Sequence, residues 1–99
     1  MVVVVARITA KTGQGDALAE ELVKMVDWVT ENEPRTLTYI CNRSTKNADE
    51  FVFFERYPDQ AAVDAHAGSE QFTVFVQTIG GLLGAAPDIQ TFEEIAAKL

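Results

Sequence analysis

His66 is the only histidine among 99 residues, and imidazole is the one side chain that ordinarily exchanges a proton near neutral pH. It follows Ala62 by four residues and Val63 by three, a helical spacing that turns it toward a packed interior. There it could accept a proton from a bound molecule or hold the resulting anion by a hydrogen bond. A satisfied structural histidine bridging helix and strand fits the same position. Glu55 falls in a strand-like run among Phe53, Phe54 and Tyr57, where a charge is costly to bury. Two chemical roles suit it: orienting His66, or acting as a base with a raised pKa. An ion pair with a strand arginine, Arg7 or Arg56, is the structural alternative. Trp28 and Tyr39 carry polar groups that need partners and, with Phe72, could wall a pocket for a flat aromatic molecule. Phe75 belongs by its spacing to the core. Cys41, the only cysteine, has no second histidine for a dyad and reads as a buried free thiol. An intrachain disulfide is excluded. A lone histidine with scattered acids makes a poor metal site, since binding takes three or four donors in one place. Neither Gly13-x-Gly15 nor Gly80-Gly81 has phosphate-loop spacing.

These groups need elements to position them. Val2 to Ala10 reads as a strand apolar on both parities, with Val3 and Val5 on one face and Val2, Val4, Ala6 and Ile8 on the other. After the Lys11–Gly15 turn, Asp16 is the expected N-cap of a helix carrying Leu18, Leu22, Met25, Val26 and Val29, ending about Thr30 before Pro34. Thr36–Arg43 and Glu50–Tyr57 form a hairpin. Pro58-Asp59 opens a short helix that Gly68 breaks. Ser69 caps the next helix, whose stripe of Phe72, Phe75, Val76, Ile79, Leu82 and Leu83 is expected to run to Gly84. Asp88–Glu94 is the last strand. The order β-α-β-β-α-β, with a divided second helix, predicts one α+β domain over residues 1–99. Its fold is ferredoxin-like, a four-stranded antiparallel sheet with helices on one face.

Helices can cover one face, yet strands one and three are apolar on both. Each large side chain left in water forfeits about 1.5–3 kcal/mol, against roughly 5–15 kcal/mol for the stability of a whole domain. The expected solution is a homodimer packed sheet to sheet, a dimeric α+β barrel.

Charge narrows the partners. The net charge is −7, with 15 acidic and 8 basic residues, and Arg7, Arg35, Arg43 and Arg56 are scattered singly. No nucleic acid and no anionic membrane is expected as a partner. No segment approaches the roughly 18 apolar residues of a membrane span. The opening valine run is short and lacks the basic leader of a signal peptide. A reducing, cytoplasmic setting is the expectation.

The sequence resembles the antibiotic-biosynthesis-monooxygenase-like family of dimeric α+β barrels over nearly its whole length. The likeness rests on Val5-Ala6-Arg7, Glu33-Pro34 ahead of Tyr39, Phe54-Glu55-Arg56-Tyr57, and above all Asp64-Ala65-His66 followed by Ser69-Glu70-Gln71-Phe72. Arg35 stands where the family typically has glycine. The resemblance implies a sheet-to-sheet dimer with a hydrophobic pocket between helices and sheet. Several such proteins oxidise polycyclic phenols or quinols with molecular oxygen and no bound cofactor; others degrade haem, isomerise small ketones or have no known activity. Haem-degrading members place an asparagine, a tryptophan and an iron-binding histidine where this chain has Ala6, His66 and Val76, and valine offers iron no donor. The expected function is a cofactor-independent monooxygenase or oxidoreductase with a small phenolic, quinol or polyketide-like substrate in the helix-sheet pocket. His66 would be its proton acceptor, Glu55 its support, and Trp28, Tyr39 and Phe72 the walls. A non-catalytic ligand-binding or stress-response module, or an isomerase using the same His66, are the alternatives.

Overall fold

β-Branched residues favour extended backbone, and Val2–Thr9 forms β1, a central strand of the sheet. The computed structural model describes all 99 residues. The remaining elements are α1 (Gly15–Asn32), β2 (Thr38–Arg43), β3 (Glu50–Tyr57), α2 (Gln60–Ala67), α3 (Glu70–Gly80) and β4 (Asp88–Glu93). The strands lie in the order β2-β3-β1-β4, every neighbouring pair antiparallel. This is the expected ferredoxin-like α+β arrangement. No helix is long and apolar enough to cross a membrane.

Register assigns the faces, because residues opposed across antiparallel strands share a side. Val4 opposes Glu55, Ala6 opposes Phe53 and Ile8 opposes Phe51; Tyr39 and Cys41 oppose Glu55 and Phe53 from β2. These residues face the helices. Val3, Val5, Val52, Phe54, Ile40 and Phe92 share the other face, where no helix lies and Ile40, Phe54 and Phe92 are exposed.

On the covered side the α1 stripe of Leu18, Leu22, Met25 and Val29 is buried against Ala6, Ile8, Phe51 and Phe53, joined by Phe75 and Ile79 of α3. Two helix ends differ from expectation. Asp16 is inside α1 and pairs with Arg43 at 2.9 Å. The cap comes instead from Asp49 in the β2–β3 hairpin, whose carboxylate accepts the Gly13 and Gly15 N–H groups at 3.1 and 2.9 Å. A Cβ at Gly15 would collide with the Ala48 carbonyl oxygen, so this docking of hairpin on helix requires glycine. At the other end of the molecule α3 stops at Gly80, four residues before Gly84. Leu82 and Leu83 still pack on the core, but as a strap: Leu82 accepts the Lys11 N–H at 2.8 Å and Leu83 bridges to Ala10.

Candidate functional site

The site is organised around a break between two short helices. Asp59 caps α2 by accepting the Ala62 N–H at 2.9 Å, and Arg35 pairs with the same carboxylate at 2.6 Å. Gly13 alone has positive φ, so the turn at residue 35 needs no glycine, and arginine there adds a tie to α2. Ser69 caps α3 by accepting the Phe72 N–H at 3.1 Å while donating to the His66 carbonyl at 3.0 Å. The backbone of His66 is thereby fixed to the start of the next helix.

Its side chain is 5% exposed. Nδ1 lies 2.6 Å from Glu33 Oε1, and Thr36 Oγ1 donates to that same oxygen at 2.7 Å. Glu33 Oε2 is the sole buried side-chain oxygen or nitrogen without a partner. His66 Nε2 makes no hydrogen bond within the chain and is not among the sealed atoms, so it remains reachable. The ring sits among Tyr39, Phe72 and Tyr57, with centroids 5.2, 5.1 and 5.8 Å away and the first two edge-on.

The carboxylate on His66 is therefore Glu33, where the sequence had suggested Glu55. Glu55 is buried and accepts the Tyr57 hydroxyl at 2.6 Å. Nor does it pair with an arginine: Arg56 binds Glu94 through two contacts of 2.9 Å, and both Arg7 and Arg56 belong by register to the opposite face. Burial pushes the Glu55 carboxyl above the usual range, against the Tyr57 hydrogen bond and the attraction of His66, which lower it. The phenols of Tyr39 and Tyr57 are pushed far up, first by burial and then by the charge of Glu55, so both act as neutral hydroxyls. Cys41 is half-buried rather than buried, and burial raises its thiol.

Between α2, α3 and the sheet lies a cavity of about 310 Å³, at the small end of the usual range for ligand pockets. His66, Glu55, Tyr39, Tyr57 and Phe72 line it together with apolar side chains of β1 and α3. Four of the five residues picked from sequence thus converge. Trp28 does not; it lies in a separate outer groove of about 330 Å³ with Asn32, Glu33, Arg35 and Ser69, and His66 borders both spaces. Indole on α1 is carried to the far side of the imidazole, because Trp28 is one residue short of the buried Val29 position. Two residues of the site were missed. Tyr57 was legible, since it shares strand parity with Glu55. Glu33 was visible in sequence merely as half of a Glu-Pro pair. No group of three or more His, Cys, Asp or Glu side chains gathers to hold a metal ion.

A sequence model of the family described as antibiotic biosynthesis monooxygenase matches residues 1–78. Among solved structures, a crystal structure of an antibiotic biosynthesis monooxygenase is 28% identical, spans 97% of this chain and 100% of its own, and superposes with a TM-score of 0.88. Rv0793 from Mycobacterium tuberculosis is 27% identical, with 97% and 96% covered and a TM-score of 0.86. NE2512 from Nitrosomonas europaea, a protein of unknown function, is 26% identical, with 99% and 92% covered and a TM-score of 0.86. No curated protein matches the sequence.

Proposed function

The chain belongs to the antibiotic biosynthesis monooxygenase family, and on that premise we propose that it oxidises a small phenolic or quinol-like molecule with molecular oxygen and no bound cofactor. The observation that carries this reading is an imidazole that lines an apolar cavity, with one nitrogen held by a carboxylate and the other without a partner in the chain. The phenol or its keto tautomer gives a proton to His66 Nε2. The anion left behind is electron-rich enough to reduce oxygen directly. One oxygen atom enters the substrate as a carbonyl, and the other leaves as water with the two displaced hydrogens. Glu55, whose carboxyl burial holds above the usual range, accepts the Tyr57 hydroxyl beside the imidazole, while Tyr39 and Phe72 flank the ring of the substrate.

We also propose that two copies pair through the uncovered sheet face. Val3, Val5, Ile40, Phe54 and Phe92 give that face a continuous apolar surface, of the kind that marks an interaction site. A second copy presents the same twisted surface about a twofold axis.

Oxygen uptake by the purified protein with a panel of anthrones and quinols tests the chemistry. Turnover of at least one compound that His66→Ala abolishes is expected. No uptake from any of them, or full activity in His66→Ala, overturns the mechanism. Binding without uptake reassigns the cavity to ligand capture.

A further inference from the structure

Glu33 closes α1, donating its N–H to Val29 O at 2.9 Å, and its own carbonyl accepts the Thr36 N–H at 3.1 Å. The side chains repeat that closure, with the Thr36 hydroxyl on Glu33 Oε1. The turn is thus fixed twice over, and it presents one carboxylate oxygen to an imidazole 33 residues away. An ionised carboxylate only accepts hydrogen bonds, so the contact at Oε1 calls for a proton on Nδ1, and in the neutral ring that leaves the lone pair on Nε2. Most buried side-chain polar atoms have a partner; here Nδ1 is bound and Nε2 makes no hydrogen bond within the chain, on a ring that lines the cavity.

The charges around the pair fit the same role. Arg35, which borders the outer groove, is bound to Asp59, and Glu33 has no ion-pair partner except the imidazole. Its second oxygen has no partner at all. The imidazole is therefore the one cation-forming side chain in contact with this carboxylate, and charges in a poorly solvated site act strongly on one another at this distance.

We propose that Glu33, braced by Thr36, is a positioning residue: it sets the His66 tautomer with the lone pair of Nε2 toward the cavity and stabilises the charged ring that forms on proton uptake. This rests on the reading of His66 as proton acceptor. Glu33 does not itself take the proton, as the carboxylate of a Ser-His-Asp triad does not.

His66 is the only histidine, so nitrogen-15 labelling of histidine gives one unambiguous set of ring correlations. The expected wild-type spectrum above the ring's titration is that of the Nδ1–H tautomer. Glu33→Gln, whose amide can either donate or accept, is expected to mix the two tautomers. With an anthrone as probe, Glu33→Gln should lower kcat by up to the roughly 10²–10⁴-fold a general base contributes, with KM little changed. In Glu33→Ala, added formate is expected to restore part of kcat by entering through the outer groove. A wild-type Nε2–H tautomer overturns the proposal whether or not the protein oxidises anything. So does undiminished kcat in Glu33→Gln when His66→Ala is inactive. Should the wild type turn over none of the anthrones and quinols, the oxygenase reading falls and the tautomer alone decides Glu33. Circular dichroism confirms that each variant is folded.

Discussion

On β3, Phe53 is 1% exposed and Phe54, the next residue, is 37% exposed. The two rings are chemically identical and differ in which side of the sheet they occupy. Phe53 enters a core filled by α1 and α3, but that side is incompletely filled: between α2, α3 and the sheet the packing leaves a cavity, and the buried polar groups His66, Glu55 and Tyr57 gather there. Phe54 enters no core of its own chain. Around Phe54 its face is apolar, with Val5 and Ile40 directly opposite, and its charged pair, Arg56 with Glu94, lies across the sheet from Glu55 and Tyr57. A closed face with a deliberate gap suits chemistry, whereas a continuous open one suits association.

Substituting along β3 separates these roles. Phe53→Ala should cost the most, about 3–5 kcal/mol of stability for the lost ring and the void left behind, read from denaturant unfolding. Phe54→Asp should leave the protomer folded and turn a dimer into a monomer by sedimentation at micromolar concentration. A wild type already monomeric there breaks the assignment of the open face. Glu55→Gln should act least, and through pH. A carboxyl held above its ordinary range keeps its proton in the folded state after the unfolded chain has lost it, so stability falls as pH rises through that interval. Glu55→Gln should remove that decline and gain on the wild type in thermal melting as pH rises above the ordinary carboxylate range. Glu94 works in the opposite sense. The Arg56 hydrogen bond holds it below the usual range, so its contribution is complete above that range and is lost as pH falls through the lowered value. The two faces thus respond to acid with opposite sign.

Much of this division was legible beforehand, because period-2 alternation in β1 and β3 assigns faces without knowledge of the partner strands. The α1 stripe followed from the 3.6-residue repeat in the same way, and Ser69 was recognisable as a cap from its place after Gly68. What failed was tertiary in origin. Asp16 has the composition of a cap, yet Asp49 takes that place from 34 residues away. Leu82 and Leu83 continue the apolar pattern of α3 although the helix has ended, because a strap against the end of β1 needs the same side chains as a helix against the sheet. Parity put Glu55 on the histidine's side of the sheet but could not choose between it and Glu33, since the choice depends on where the end of α1 meets α2. The same uncertainty misplaced Trp28.

That displacement gives the protein an optical gauge. Trp28 is the only tryptophan, and it stands in the outer groove with Glu33, across the imidazole from the cavity. Indole emission follows the polarity and charge of its immediate surroundings, so the intrinsic fluorescence of this chain reports on the carboxylate side of His66. Trp28 does not line the cavity, which shares His66 with the outer groove, so molecules that enter the cavity should register in its emission through changes in the imidazole or its hold on Glu33.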